Sequence, residues 1–378
     1  MHILILGAWC SCNLGDAVIC RCVAQQLRIA YPDAELTVRD VIARDRLAPK
    51  AVPAEAMLRR RAVFSRGRQL LARVGIDLIR GREERRVRAN MAHLEQVCAG
   101  DYDLAVFAGG QLFMDGYGLF LEKCVELLGR RKIPVIFNAC GTGPLHSRTI
   151  AKRLGAALRK ENVIAVSTRD DTFRVDALVG EPDAVCRVSD PALAASALLG
   201  ISARPLDTVG LGIMYPNGVP YRKALIQWRR IVKELDRRGQ KWEMFTNGDP
   251  ADEVFARRVL KKFPDREARI APRNVTPEGL MQTIAGYRGI ISYRLHSHIL
   301  AVSMGIPTAA LVWDHKLRYF YADCGCPNRS FSVNAKAGDI LDGLDTASSE
   351  GYDRCRLERQ ASESLQWLLD AVKKGVAR

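Results

Sequence analysis

The chain has 378 residues, enough for two domains of ordinary size, and its 48% hydrophobic and 26% charged content excludes a disordered composition. Its 57 Lys and Arg residues exceed its 42 Asp and Glu residues, and the formal net charge of +15 favours anionic partners such as phosphorylated substrates, anionic membranes or nucleic acid. No window approaches 18 uninterrupted apolar residues, which argues against a spanning helix, and the 11 scattered cysteines indicate a reducing, cytoplasmic setting.

The first half of the chain alternates short apolar runs with helical patterns. Strands are predicted at residues 2–6, 35–39, 102–107, 134–138, 163–167 and 184–188. This alternation is typical of a parallel, doubly wound sheet with helices on both faces. Ligands bind beyond the carboxyl ends of the strands in such sheets, so the residues that follow each strand are candidates for a site.

Polar or glycine-rich turns follow several of these strands. The candidate residues in these turns are Asn13, Asp16, Gly109, Gly110, Asp115, Gly141 and Arg169. Paired glycines let the backbone approach a ligand closely, and an acid just past a strand end could orient a ligand hydroxyl. Simpler interpretations stay open, because Asp16 could serve only as a helix cap and Asp115 only as a turn residue.

The alternating pattern pauses at residues 200–205 and then restarts. Further strands are predicted at residues 208–214, 242–246, 289–293 and 308–313, and a final amphipathic helix at 354–376. We therefore predict an α/β protein with two doubly wound, Rossmann-like domains that face a cleft. We place them at residues 1–203 and 204–350, with a C-terminal helix at 351–378.

The strand at 289–293 leads into an apolar helix through Arg294, Leu295 and His296, and His298 follows two residues later. A cation and an imidazole at a helix N-terminus could hold an anion and move a proton. Because an α-helix has 3.6 residues per turn, His298 should point about 200° away from His296, and we expect it to pack in the core. The simpler alternative is that Arg294 caps a carbonyl and that both histidines pack.

Arginine is concentrated in residues 59–88, where it is interleaved with apolar residues such as Phe64 and Leu70. A basic amphipathic segment of this kind can lie on an anionic membrane, so we expect peripheral contact with its inner face. The alternative is a solvated helix face. No nucleic-acid-reading motif accompanies the charge, so we expect no nucleic-acid partner. The C-x-C cysteine pairs differ from the spacing of structural zinc ligands, so we expect no metal.

Six motifs, in this order along the chain, resemble those of the polysaccharide pyruvyl transferase family. They are Asn13-Leu-Gly-Asp16, Gly109-Gly-Gln-Leu-Phe-Met-Asp115, Gly141-Thr-Gly-Pro144, Arg169-Asp170, Asp190-Pro191, and Arg294-Leu-His296 with Gly305-Ile-Pro307 and Asp314-His-Lys316 after it. Each motif is weak alone, but their common order is specific and extends the resemblance to about residue 320. Gln111 and Trp313 stand where the family commonly has Ser and Tyr, and residues 59–88 match no family motif.

The resemblance implies a fold similar to that of the two-domain B-type glycosyltransferases. It also implies transfer of pyruvate from phosphoenolpyruvate to two hydroxyls of a sugar, which forms a ketal during surface-polysaccharide assembly. Catalysis would fall to His296 and Asp115, with Asp115 facing the acceptor. The remaining residues implied to bind substrates are Asn13, Asp16, Gly109, Gly110, Gly141, Arg169, Arg294, Leu295 and Lys316.

The chemistry of this reaction suits these residue types. Phosphoenolpyruvate carries a phosphate and a carboxylate, both of which Arg can bind with two hydrogen bonds. A histidine can protonate the methylene carbon, after which a sugar hydroxyl attacks C2, phosphate leaves, and a second hydroxyl closes the ketal. This scheme requires no cofactor. The alternative is a glycosyltransferase with a nucleotide-sugar donor on the same fold, and whether the acceptor is lipid-linked stays open.

Overall fold

The computed structural model describes residues 1–377 except for several short stretches. The stretches outside the described residues are 45–50, 59–63, 65, 66, 68, 72–75, 171, 182, 183, 217, 218 and 264–267. The basic segment predicted at 59–88 therefore lies partly outside the described residues, and Arg59, Arg60 and Arg61 are among those left out.

The first half of the chain forms a six-stranded parallel sheet with strand order β2-β1-β3-β4-β5-β6. Its elements are β1 (His2–Gly7), α1 (Leu14–Ala30), β2 (Glu35–Asp40), α2 (Leu78–Ala89), α3 (Met91–Cys98), β3 (Leu104–Phe113), α4 (Asp115–Arg130), β4 (Val135–Thr142), α5 (Arg148–Leu158), β5 (Val163–Thr168), α6 (Thr172–Val179), β6 (Cys186–Arg187) and α7 (Ala195–Leu199). The chain changes direction across the sheet between β1 and β3, which is where doubly wound sheets bind ligands.

The second half forms a five-stranded parallel sheet with strand order β11-β10-β9-β7-β8. Its elements are β7 (Leu206–Gly212), α8 (Tyr221–Arg237), β8 (Trp242–Phe245), α9 (Pro250–Leu260), α10 (Pro277–Ala285), β9 (Tyr287–Ser292), α11 (Leu295–Ser303), β10 (Thr308–Val312), α12 (His315–Asp323), β11 (Ser330–Ser332), α13 (Ala337–Glu350) and α14 (Arg354–Val376). The chain changes direction across this sheet between β7 and β9, next to the Arg294–His296 turn.

The central strands are buried on both faces, as expected when helices cover both sides of a parallel sheet. Every residue of β4 is buried, and β3 is buried except at Gln111. The strand predicted at 184–188 is shorter than expected, since β6 pairs with β5 only at Cys186 and Arg187. Both residues are exposed at the sheet edge, and the chain then turns away at Asp190-Pro191.

The C-terminal helix α14 packs back on the first sheet. Leu368 and Val372 are buried in the same apolar cluster as Ile3 and Leu104. Gly375 lies so close to the sheet that a Cβ there would come within 2.7 Å of the Leu104 side chain. The predicted helix is therefore confirmed and covers the first half, while the domain boundaries drawn from the sequence stay predictions.

The two halves meet where α1 begins. The Leu14 N–H donates a hydrogen bond of 2.9 Å to the Asn247 carbonyl, which follows β8 in the second half. A Cβ at Gly15 would lie 2.3 Å from the Cβ of His296, so only glycine allows this approach. The first turn of α1 is thereby held directly against the N-terminus of α11.

Candidate functional site

A cavity of about 240 Å³ lies between the two halves at the carboxyl ends of their strands. Seven of the site residues predicted from the sequence line this cavity: Asn13, Asp16, Arg169, Arg294, Leu295, His296 and Lys316. A larger depression of about 1010 Å³ lies at the amino ends of β3, β4 and β5, near Asp103 and Asn162, and contains none of the predicted residues. The smaller cavity is therefore the candidate site.

Arg169 follows β5 and its guanidinium is almost fully buried. Its Nη1 forms an ion pair with Asp190 and lies 3.1 Å from the His296 Nε2. The next residue, Asp170, accepts the Thr142 N–H at 2.7 Å and lies 3.6 Å from the Lys316 Nζ.

Arg294 occupies the N-cap position of α11. Its Nη2 donates to the Asp252 Oδ2 at 2.6 Å, so its guanidinium binds a carboxylate and does not cap a carbonyl. Asp252 is completely buried, and burial raises its pKa to about 6 although Arg294 opposes the rise. This partner could not be predicted, because nothing in the sequence pattern of α9 indicates that Asp252 is buried.

Lys316 reaches from the first turn of α12 across to the first half. Its ammonium donates to the Thr142 carbonyl at the end of β4 and lies beside Asp170. Burial lowers the pKa of this ammonium, and the Asp170 carboxylate opposes the decrease. Each of the three cations at the cavity wall thus has an aspartate next to it. The pairs are Arg169 with Asp190, Arg294 with Asp252, and Lys316 with Asp170.

His296 is 6% exposed and lies among these three cations. Burial lowers its pKa to about 4; the Asp16 carboxylate opposes this, and Arg169, Arg294 and Lys316 add to it. With this pKa the imidazole is neutral near pH 7. An anion bound to the three cations would offset their charge and raise the pKa of His296.

His298 is fully buried and both of its ring nitrogens have partners. Its Nε2 lies 3.0 Å from the Ser292 carbonyl, and its Nδ1 lies 2.8 Å from the Tyr321 hydroxyl. The expectation that His298 packs in the core is confirmed. Its ring connects the end of β9 to α12, the two elements that present Arg294 and Lys316.

Asn13 and Asp16 form the edge of the cavity at the start of α1. The Asn13 Nδ2 donates to the Asp16 Oδ2 at 3.1 Å, and the Asp16 Oδ1 lies 3.9 Å from the His296 Nε2. Gly110 has a φ of +76°, and a Cβ there would lie 3.3 Å from the Asp16 Oδ1. Glycine therefore allows β3 to pass closely beneath this carboxylate.

The other two predicted glycines, Gly109 and Gly141, lie where a side chain would collide with residues that pack next to the site. Gly109 has a φ of +52°, and a Cβ there would lie 2.8 Å from the Ile19 side chain. A Cβ at Gly141 would lie 3.0 Å from the Asp170 Oδ2 and 3.1 Å from the Arg169 Nε. These positions therefore permit close packing beside the charged residues.

Asp115 does not line the cavity. Its carboxylate accepts the backbone N–H groups of His146 and Ser147 at 2.9 and 3.1 Å, and burial raises its pKa. The Ser147 hydroxyl also bonds to Asp77, just before α2. In this arrangement Asp115 fixes the loop that precedes α5, and its predicted catalytic role has no geometric support.

The cavity also has an apolar and aromatic side that sequence reasoning did not find. Its residues are Met114, Tyr117, Met214, Tyr293 and Trp313. The Trp313 Nε1 donates to the Tyr293 carbonyl at 2.8 Å, which fixes the indole. Met114 and Tyr117 lie at the start of α4 in the first half, whereas Met214, Tyr293 and Trp313 follow strands of the second half, so no single motif groups all five.

Two further features concern binding partners. In the part of the chain that the structure describes, no cluster of three or more His, Cys, Asp or Glu side chains could hold a metal ion. Within the same residues, no helix combines the length and apolar character needed to cross a membrane.

A comparison with protein families decides the assignment. The family model described as polysaccharide pyruvyl transferase matches residues 13–315. The chain belongs to the polysaccharide pyruvyl transferase family. This range includes the cavity residues from Asn13 to Asp314, and the resemblance seen in the six motifs is confirmed. No curated protein matches the chain significantly in sequence.

Several solved structures share the fold of this pyruvyl transferase family member at low sequence identity. The S. aureus MnaA–UDP co-structure is 11% identical with a TM-score of 0.55, covering 99% of this chain and 96% of that chain. UDP-GlcNAc 2-epimerase from Neisseria meningitidis bound to UDP-GlcNAc is 10% identical with a TM-score of 0.53, covering 99% and 100%.

Glycyrrhiza uralensis UGT73P12, complexed with glycyrrhetinic acid 3-O-monoglucuronide, is 10% identical with a TM-score of 0.53, covering 99% of this chain and 96% of that chain. Likeness at such identities shows the fold alone. The prediction of two Rossmann-like halves, similar to the B-type glycosyltransferases, is confirmed.

Proposed function

We propose that the protein transfers pyruvate from phosphoenolpyruvate to two hydroxyls of a sugar and forms a pyruvate ketal in surface-polysaccharide synthesis. The observation that carries this proposal is the convergence of Arg169, Arg294 and Lys316 on one cavity beside His296. Three cations suit a donor that carries both a phosphate and a carboxylate, and the imidazole suits the proton transfer.

The arginines have donors left over for such a ligand. Within the described residues, the Nε atoms of Arg169 and Arg294 are buried without a hydrogen-bond partner. A buried donor without a partner is costly, and an anion that accepts from it removes this cost. Asp190 and Asp252 meanwhile occupy terminal guanidinium nitrogens and hold the two side chains in place.

The size of the cavity favours a small donor. Its volume of about 240 Å³ is below the range of roughly 300–1,000 Å³ that is typical of pockets for drug-sized ligands. Phosphoenolpyruvate is a three-carbon phosphate ester and is far smaller than a nucleotide sugar. The apolar side formed by Met114, Met214, Tyr293 and Trp313 would then pack against the acceptor sugar.

Protonation of the donor follows from the charges around His296. Burial and the neighbouring cations keep its imidazole neutral, with a pKa of about 4. A bound phosphate and carboxylate would neutralise Arg169, Arg294 and Lys316 and allow His296 to take up a proton. The charged imidazole can then donate that proton to the methylene carbon.

A donor trial tests the proposal against a glycosyltransferase with a nucleotide-sugar donor. The purified protein is incubated with polysaccharide from its own organism, treated with mild acid to remove ketals, and with either phosphoenolpyruvate or a panel of nucleotide sugars. We expect polysaccharide-dependent release of phosphate from phosphoenolpyruvate and no consumption of nucleotide sugars. Consumption of a nucleotide sugar alone would overturn the proposal.

The predicted setting of the reaction belongs to the same proposal. We expect no metal or other cofactor, and action at the cytoplasmic face of the membrane on a soluble or lipid-linked acceptor. In α2, which lies in the described part of the basic segment, Arg82, Arg85 and Arg88 are exposed and Leu78 is 48% exposed. Such a surface can bind anionic lipid, and co-sedimentation with anionic vesicles tests this.

A further inference from the structure

Ketal formation needs a group that removes protons from the acceptor hydroxyls, and the structure leaves Asp115 away from the cavity. We propose that Asp16 is this catalytic base and that Asp115 is a structural residue. This inference rests on the proposed function and assigns one step of it. It also explains why the start of α1 is held so closely against His296.

The position of Asp16 supports this role. Asp16 lies in the first turn of α1, lines the cavity and faces His296 from the opposite half of the chain. Its Oδ2 accepts a hydrogen bond from Asn13, which orients the carboxylate. Gly110 leaves the space beside Oδ1 open, and the N–H groups at a helix N-terminus interact favourably with a negative charge.

The distance between Asp16 and His296 fits a pair that acts on neighbouring atoms. The 3.9 Å between the Asp16 Oδ1 and the His296 Nε2 is too long for a direct hydrogen bond. The imidazole protonates the methylene carbon while the hydroxyl adds to the adjacent C2. A proton donor and a proton acceptor only a few Å apart can therefore act at the two carbons of the donor's double bond, His296 at the methylene carbon and Asp16 on the hydroxyl that adds to C2.

The proton balance closes with these two residues. Protonated His296 gives its proton to the methylene carbon, and the first sugar hydroxyl attacks C2 and loses its proton to Asp16. The C2–O bond to phosphate breaks, and the departing phosphate takes the proton from Asp16. The second hydroxyl closes the ketal on C2 and returns a proton to His296, so both residues regain their starting state.

Asparagine substitutions at the two aspartates form a matched pair. Asp16→Asn keeps the size and hydrogen bonding of the side chain but removes its basicity. We expect kcat to fall by roughly 10²–10⁴, while the Kd for phosphoenolpyruvate measured by calorimetry changes by less than about tenfold. Asp115→Asn should lower the melting temperature, because it weakens the His146 and Ser147 hydrogen bonds, and leave kcat of the folded protein near that of the wild type.

A rescue experiment separates a base from a residue that only orients His296. Asp16→Ala removes the carboxylate and leaves space for a small acid, so added formate should restore a measurable part of kcat. All assays use the acid-treated polysaccharide as acceptor and phosphoenolpyruvate as donor, and the wild type is measured first. If the wild type does not turn over, the proposed function fails. If the wild type is active and Asp16→Asn retains kcat within tenfold, or formate gives no rescue, this inference alone fails.

Discussion

The Arg169 Nη1 and the His296 Nε2 lie 3.1 Å apart, although the two residues belong to opposite halves of the chain. Because a guanidinium can only donate hydrogen bonds, the imidazole nitrogen that faces it must accept. Nε2 is therefore unprotonated, in agreement with the low pKa of His296. An anion that binds Arg169 would release Nε2 and allow it to take up a proton.

The first prediction concerns the role of His296 in turnover. His296→Ala should lower kcat by roughly 10²–10⁴, because general acid catalysis typically contributes that much. The Kd for phosphoenolpyruvate should change far less, since Arg169, Arg294 and Lys316 remain. Steady-state kinetics and calorimetry give the two values. Near-normal turnover of His296→Ala, with inactive but folded His298→Ala, would show that the wrong histidine has been assigned.

The second prediction concerns the charge of His296. Its pKa is about 4 and should rise when an anion binds, since negative charge offsets the three neighbouring cations. Histidine NMR signals followed over pH, with and without saturating phosphoenolpyruvate, measure this shift. Matched spectra of His296→Ala identify the signal. An identical titration midpoint in both states would remove the basis for protonation by His296.

The third prediction concerns the two arginines. Arg169→Lys and Arg294→Lys keep the charge but lose the planar group that can bind an anion while an aspartate holds it. Each should weaken phosphoenolpyruvate binding by about 1.5–3 kcal/mol, which is roughly 10- to 150-fold in Kd. Arg21→Lys is the control, because Arg21 pairs with Glu278 at an exposed site away from the cavity. Equal effects at all three positions would indicate a nonspecific cause.

The fourth prediction concerns the apolar side of the cavity. Trp313→Ala should raise KM for the acid-treated polysaccharide by roughly tenfold, because an aromatic surface contributes about 0.5–1.5 kcal/mol beyond the area that it buries. Trp313→Phe should retain most of this contribution. Calorimetry with phosphoenolpyruvate should give a nearly unchanged Kd. A loss of donor binding with unchanged acceptor KM would place Trp313 at the donor instead.

The fifth prediction concerns stability at low pH. Burial lowers the pKa of His298 from 6.5 to about 4, so the unfolded chain binds its proton more readily. Its contribution to stability is complete above about pH 6.5 and is lost as the pH falls toward 4. Asp252, with a pKa of about 6, acts in the opposite direction, so variants are more informative than the wild type alone.

The His298→Gln variant isolates that contribution. At pH 7 it should be less stable by about 1–3 kcal/mol, because it loses buried hydrogen bonds to Ser292 and Tyr321. Between pH 6.5 and pH 4 its free energy of unfolding should decrease less steeply than that of the wild type. Chemical denaturation over this pH range measures both. Parallel curves for the two proteins would show that His298 does not titrate on unfolding.

Much of this fold could be predicted from the sequence, because its strands are short apolar runs followed by polar turns. Residues 289–293 and 308–313 correspond closely to β9 (Tyr287–Ser292) and β10 (Thr308–Val312). Arg294 and His296 lie in the turn where a parallel sheet places its ligands. Their approach to Arg169 could be expected once two sheets were known to face a cleft.

The partners of the charged residues could not be predicted. Asp252 and Asp190 reach Arg294 and Arg169 through tertiary packing, which leaves no trace in local periodicity. Asp115 was assigned to the acceptor because it follows a strand and matches a family motif, yet its carboxylate accepts hydrogen bonds from the backbone of the loop before α5. A position after a strand indicates the right edge of the sheet but not the direction of the side chain.

Pyruvate transfer from phosphoenolpyruvate can be tested directly by an NMR measurement of the product formed in D₂O. The protein is incubated with phosphoenolpyruvate and the acid-treated polysaccharide, and the polysaccharide is then isolated. We expect a pyruvate ketal whose methyl group carries one deuterium, together with one phosphate released per ketal. A polysaccharide without a ketal, with phosphoenolpyruvate unchanged and a nucleotide sugar consumed in parallel samples, would contradict the proposed transfer.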